Sequence, residues 1–220
     1  MSETNYSPGD YRAKHNWQSA AKAAAYRKSR DASRYGRTFK EDKIVGNWLN
    51  DLPQNATILD LPCGTGRFVH LINSRGFRYT GADIAEAMLK EAREVAGPDS
   101  RAEFILADAE NMPFADNSFD CVIVWRLFQH LTDATIRVKI LREAARVSRR
   151  KVLVSFYHPF SFTSLRLGLK NRFSARKKQR GVVTHWQIDR EGEDCGLRLI
   201  ETKGFQKFIS INWFACFEKS

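Results

Sequence analysis

Very little in this sequence suggests secretion, zinc or a membrane span. Its four cysteines, Cys63, Cys121, Cys195 and Cys216, lie far apart in 220 residues. No C-x-x-C pair hints at zinc and no dense cysteine framework hints at a disulfide scaffold, so reduced thiols in a cytoplasmic protein are expected. No apolar run approaches the roughly 20 residues that a spanning helix needs. Residues 1–10 are polar, without the apolar core of a signal peptide. Acidic residues are also in the minority, 25 against 36 Lys and Arg, for a formal charge of +11 and a pI near 9.7. The excess gathers in 12–43, 142–151 and above all 166–180. Such patches attract phosphate as nucleic acid, anionic lipid or a phosphorylated small molecule, or serve only as a solvated face. A hydrophobic content of 43% and an aromatic content of 12% fit one well-cored domain and leave little room for two.

What is present centres on Ile58-Leu59-Asp60-Leu61-Pro62-Cys63-Gly64-Thr65-Gly66-Arg67-Phe68. It reads as a short buried strand ending in a carboxylate, a glycine turn, and the start of a helix over 67–74. Gly64 and Gly66 have no Cβ, so the backbone can approach a ligand closely or take positive φ. The N–H groups at the helix start can hold a carboxylate or phosphate. A dinucleotide fingerprint needs a third glycine where Val69 stands. A P-loop needs Gly-Lys-Ser/Thr, which is missing.

Three further segments follow in order. Phe77 to Ile84 is a second strand whose Asp83 lies 23 residues beyond Asp60, where a carboxylate can accept two ribose hydroxyls. Phe104-Ile105-Leu106-Ala107-Asp108-Ala109-Glu110 is a third. Met112-Pro113-Phe114 and Asn117-Ser118-Phe119-Asp120-Cys121-Val122-Ile123-Val124 lead into a fourth.

Together these segments resemble the class I S-adenosylmethionine-dependent methyltransferases, and within them the small group similar to the ubiquinone/menaquinone-biosynthesis enzymes. The resemblance covers about 44–157 plus a closing helix and strand. Pro62 replaces the glycine common before the Cys, removing an N–H. The resemblance implies S-adenosyl-L-methionine as cofactor. It places Asp60, Cys63, Gly64 and Gly66 around the methionine moiety, Asp83 on ribose, Ile84 and Met88 near the adenosyl group, and Asp108 with Ala109 on adenine. Trp125 and Arg126 stand at the end of strand four, which faces the transferable methyl. His130, with an ordinary pKa near neutrality, is a candidate base beside Arg126. No Asn/Asp-Pro-Pro-Tyr/Phe is present, which argues against methylation of an exocyclic base nitrogen.

Strands near 57–61, 78–82, 103–106, 121–125 and 151–156 alternate with helices, which implies a doubly wound sheet with its ligand edge at the strand ends carrying the three aspartates. With the resemblance, the expected fold is α/β, Rossmann-like and doubly wound, with a mostly parallel seven-stranded sheet. One domain is expected, divided into an N-terminal arm and helical cap (1–52), a cofactor-binding core (53–157), a basic insertion (158–188) and a closing helix and strand (189–220). In the cap, Phe39, Ile44, Val45, Trp48 and Leu49 fall at helical spacing, and Tyr26, Arg30 and Tyr35 are candidates to reach the site. The last helix is expected over about 189–202. The 16 residues of 205–220 barely allow a two-stranded hairpin, so strand seven is expected to be incomplete.

The basic stretch 161–180 interleaves Phe162, Leu165, Leu169 and Phe173 with seven Lys and Arg. It can grip a phosphorylated acceptor, lie on an anionic membrane surface, or touch RNA. Acceptor binding is favoured, since the family's crossover borders the methyl-transfer site. The expected acceptor is small, lipid-like or anionic, such as a phosphorylated saccharide of an envelope glycolipid, reached from the cytoplasm or the inner membrane surface. RNA is the alternative acceptor. Arg30-Asp31-Ala32-Ser33-Arg34-Tyr35-Gly36 also contains the short R-x-x-x-R and D-x-S-x-x-G patterns of cyclic-di-GMP-binding PilZ domains. Without a surrounding barrel pattern this is read as coincidence, with cyclic-di-GMP kept as a speculative ligand.

Overall fold

A computed structural model describes residues 17–32, 39–159, 181–204 and 211–220. Seven strands form one sheet in the order β3-β2-β1-β4-β5-β7-β6. β1 (Thr57–Asp60), β2 (Arg78–Asp83), β3 (Glu103–Leu106), β4 (Phe119–Val124) and β5 (Ser148–Tyr157) pair in parallel. β7 (Asn212–Lys219) lies antiparallel between β5 and β6 (Leu197–Gly204). The helices are α1 (Ala20–Ala32), α2 (Phe39–Trp48), α3 (Val69–Asn73), α4 (Glu86–Ala96), α5 (Ala134–Val147) and α6 (His185–Glu193).

The central strands are apolar on both faces because both faces are covered. Leu59, Val122, Val124, Val152 and Val154 point into one core, with Ile140, Leu141 and Ala144 of α5 and Ile188 of α6. Their neighbours in sequence, Ile58, Cys121, Ile123 and Leu153, point into the other, with Val45 and Trp48 of α2 and Leu89 and Ala92 of α4. The period-two alternation thus sorts each strand between two helical layers. α5 starts where the Asp133 side chain accepts from the Thr135 N–H. α6 starts at a capping box, in which Thr184 and Gln187 satisfy each other's backbone donors.

The chain's ending corrects two expectations. The Thr184 capping box starts the last helix at residue 185, and Gly196, at φ +74°, follows its end at Glu193, so β6 occupies 197–204 where helix was expected. With a strand already formed before residue 205, strand seven is complete. All eight of its residues pair, from Asn212–Tyr157 through Lys219–Leu197. Turns also take residues 64–68, so α3 is shorter than the helix expected over 67–74. The basic stretch 161–180, Ser33 to Gly36 and Phe205 fall outside the described residues.

Two ion pairs tie helices to this frame, one with an exposed carboxylate and one buried on both sides. Lys151 Nζ of β5 donates to Asp51 just beyond α2, at 2.6 Å. Arg137 of α5 donates through Nε to Glu191 of α6 at 3.0 Å and through Nη2 to the other carboxylate oxygen. Removing one partner of such a pair leaves an uncompensated buried charge. Arg137→Met is therefore expected to cost about 3–5 kcal/mol of unfolding free energy in a denaturant titration; a loss under about 1 kcal/mol would mean that Glu191 finds water or another donor.

Candidate active site

The parallel strands bring their C-terminal ends to one edge, where Leu61 to Gly66 turn from β1 toward α3. Backbone bonds fix the turn across the sheet: Cys63 N–H donates to Ala82 O at 2.8 Å and Leu61 N–H to Ile123 O at 3.0 Å. The Leu61–Pro62 peptide is cis. Gly64 takes φ +55°, and a Cβ there would meet nothing within 4 Å, so the turn offers bare backbone to open space.

A cavity of about 240 Å³ opens beside this turn. Asp60, Cys63, Gly64, Asp83, Ile84, Met88, Asp108, Ala109, Trp125, Arg126 and His130 all line it. Gly66 does not, contrary to expectation. At φ +71° it faces α4, where a Cβ would stand 3.1 Å from the Ala92 Cα. Its lack of a side chain lets the helix pack.

The two central carboxylates are buried and differently satisfied. Asp83 accepts from Gly64 N–H at 2.9 Å on one oxygen and from Ala85 N–H at 3.0 Å on the other. Burial pushes its pKa up to about 6 despite these bonds. Asp60 Oδ2 accepts from the Tyr79 hydroxyl at 2.8 Å, while Oδ1 is buried and accepts nothing. Burial pushes Asp60 up to about 7, with the Tyr79 bond and the Arg67 charge pulling the other way. An acceptor oxygen buried without a donor costs about 1–3 kcal/mol, and a bound ammonium or hydroxyl would remove that cost. The same burial, with Asp83 and Asp60 nearby, holds the Cys63 thiol well above its usual range, which disfavours a thiolate nucleophile. Asp108 is half-buried and accepts from Glu110 N–H at 2.9 Å.

The cap helices close over the edge. α1 packs Ala23 against Ala85 and Met88, and Trp17 and Tyr26 line the cavity with their rings edge-to-face at 5.1 Å. Arg30 Nη1 donates to Thr65 O at 2.7 Å and to its hydroxyl at 2.8 Å, and Arg27 pairs with Glu91 and Glu94 of α4. Of the residues expected to reach in from the cap, Tyr26 lines the cavity and Arg30 grips the turn; Tyr35 lies outside the described residues.

Arg126 follows β4 at φ +57°, a conformation costly for any residue with a Cβ, with its N–H donating to Ser155 Oγ at 2.6 Å. Its Nη2 lies 3.2 Å from both oxygens of Glu41. Trp125 Nε1 donates to Glu41 at 3.2 Å, its ring stacked on Phe214 at 4.7 Å. Arg67 donates to Glu41 and, at 3.0 Å, to Asp42. His130 stands at the cavity edge, its Nε2 3.4 Å from the Gln129 amide nitrogen; partial desolvation of the ring lowers its pKa, which favours the neutral form.

Glu41, Arg67 and Tyr79 are absent from the sequence-based candidates. A signal existed for Glu41: it shares the stripe of Val45, Trp48 and Leu49, at i, i+4, i+7 and i+8, and so stands on a buried helix face.

Residues 58–151 match the family model described as a methyltransferase domain. The ubiquinone/menaquinone biosynthesis C-methyltransferase UbiE of Klebsiella pneumoniae is 34% identical over 110 residues, which cover 47% of this chain and 43% of that protein. The 2-methyl-6-phytyl-1,4-hydroquinone methyltransferase of Synechocystis is 35% identical over 94 residues, 42% of this chain and 30% of that protein. The chain thus spans less than half the length of these curated relatives. Among solved structures, magnesium protoporphyrin IX methyltransferase of Synechocystis, with bound SAH, superposes with a TM-score of 0.70 at 18% identity, over 83% of this chain and 84% of that one.

The raised carboxyl pKa values fix a pH dependence. Below about 6 both carboxyls are protonated, and above about 7 both are ionised. A cationic or hydroxylated ligand that needs the ionised forms binds more tightly as pH rises through this window, and near its middle binding releases protons. For the unliganded fold the sign is reversed, since these two groups contribute full stability below the usual carboxyl pKa and lose it as pH rises to 7. Calorimetry of S-adenosylmethionine binding near pH 6.5, in two buffers of different ionisation enthalpy, is expected to give net proton release. A heat independent of buffer would contradict the assignment.

Proposed function

We propose, for a chain whose residues 58–151 belong to the methyltransferase-domain family, that it binds S-adenosyl-L-methionine at this edge and transfers its methyl group to a small molecule. The observation that carries the reading is the buried carboxylate pair beside a bare glycine turn, with one Asp60 oxygen lacking a donor. These residues fit the cofactor. Asp60, Cys63 and the Gly64 backbone would hold the methionine moiety, Asp83 the ribose hydroxyls, Ile84 and Met88 the adenosyl faces, and Asp108 with Ala109 the adenine. Gly66 acts one step removed, by letting α4 pack close to the turn.

When bound, the cofactor supplies a methyl group on a sulfonium, with a neutral thioether as leaving group. No covalent enzyme intermediate is needed, so the chain's task is alignment and exclusion of water. Trp17, Tyr26, Phe68 and Trp125 supply apolar walls. Arg126 faces the acceptor side and orients an oxygen or anionic group there. His130, favoured neutral by its lowered pKa, takes up the proton the acceptor loses.

The relatives are named for quinone and hydroquinone methylation, and the apolar walls suit a hydroxylated ring, so a hydroquinone-like or other lipid-like small molecule is the proposed acceptor. The alternatives of a phosphorylated saccharide, a peripheral anionic membrane contact or RNA rest on the basic stretch 161–180, outside the described residues. Cyclic-di-GMP finds no support in the described part of its pattern: Arg30 is engaged with Thr65 and Asp31. No helix among the described residues is long and apolar enough to cross a membrane.

Calorimetry should give micromolar S-adenosylmethionine binding to the wild type and a loss of about a hundredfold or more in Asp83→Ala, as expected when a buried charged hydrogen-bonding group is deleted. His130→Gln should leave that affinity unchanged and slow methylation of 1,4-naphthohydroquinone by about 10²–10⁴-fold. Wild-type protein that binds no cofactor at any pH from 6 to 8 would overturn the function.

A further inference from the structure

Glu41 is as deeply buried as Asp60, at 1% exposure, and lies in α2, outside the matched segment 58–151. Its carboxylate receives donors from three residues, and with them joins three parts of the chain that meet only in the fold. Arg67 belongs to the end of the glycine turn, Trp125 and Arg126 to the end of β4, and Glu41 to the cap. Arg67, at the end of the turn, and Arg126, just after β4, both line the cavity. A surface ion pair would couple such elements weakly, but here both oxygens are committed inside a buried network, where interactions are strong and removing one member disturbs the others. Arg126 also holds a left-handed backbone, which persists only where surroundings over-determine it. The contacts on it include the Ser155 hydroxyl, the Glu41 carboxylate and the Tyr26 hydroxyl of α1.

We propose that Glu41 is a positioning residue that couples the acceptor wall to the cofactor turn, so that Arg126 influences cofactor affinity through Glu41 and Arg67. The inference rests on the methyl-transfer reading for the identity of the probe. It assigns the cap helix a part in setting the site's geometry in addition to covering it. Without Glu41, the buried Arg67 side chain keeps only Asp42 as an acidic partner and the partly exposed Arg126 loses its carboxylate, so the two like charges repel and shift the cavity wall, which moves both the turn and the Trp125 ring.

The test is a double-mutant cycle on S-adenosylmethionine binding, read by calorimetry on wild type, Glu41→Gln, Arg126→Gln and the double variant. Glu41→Gln is expected to weaken binding by about tenfold to a hundredfold, the range that small misplacements cause. Arg126→Gln is expected to weaken it in the wild-type background and to add less than about twofold once Glu41 is gone. Asp51→Asn, which removes an ion pair just beyond α2 whose two residues do not line the cavity, is the control: it should lower the melting temperature and leave affinity unchanged. If Glu41→Gln does not fold, Glu41→Asp keeps the charge while withdrawing the carboxylate by one methylene, and replaces it in the cycle. Effects of Glu41 and Arg126 that multiply would overturn the coupling, as would a Glu41 variant that folds and binds like wild type. Absence of binding in the wild type would instead overturn the methyl-transfer reading, so the two failures are distinguishable.

Discussion

Burying a carboxylate with too few donors costs free energy, and this molecule does so at the centre of its sheet. Asp60 and Asp83 terminate adjacent parallel strands, which the ladder sets side by side. The turn between them is anchored to the Asp83 carboxylate through the Gly64 N–H and to the neighbouring strand through the Cys63 N–H. Everything that shapes the cavity is referred to that anchor: α4 approaches because Gly66 has no side chain, Tyr79 reaches across to half-satisfy Asp60, and Arg30 pins the turn from the cap. The strain remaining at Asp60 is a reservoir that a cationic ligand can draw on, so affinity and pH dependence share one cause.

A second constraint works through the cap. Parallel strands must be covered on both faces, and the cap helix α2 covers one of them with Val45, Trp48 and Leu49. The same stripe delivers Glu41 into the space between the turn and β4. Packing and site geometry are therefore the same contact, and a change in the cap reaches the cavity without touching a ligand.

Much of this was legible in the sequence. The alternation of strands and helices, the acidic strand ends and the glycine turn are local patterns, and local patterns survive in one dimension. Asp60, Asp83 and Asp108 could be placed on one edge because crossover handedness leaves few choices. Less was legible where the signal was not local. Gly66 belongs to the quoted motif and also serves a helix more than 20 residues away. The closing hairpin was hidden because the capping box at Thr184 and the stop at Gly196 outweighed the apparent helical run across 189–202. Glu41 looked like one surface acid in a charged helix, since its partners are 26, 84 and 85 residues distant.

The most direct test of the central claim is a crystal structure of the protein grown with S-adenosylhomocysteine. The account predicts the amino group within hydrogen-bonding distance of Asp60 Oδ1, both ribose hydroxyls on Asp83, and the Gly64 backbone against the amino-acid moiety. A ligand bound away from this edge, or one leaving Asp60 Oδ1 without a donor, would contradict it.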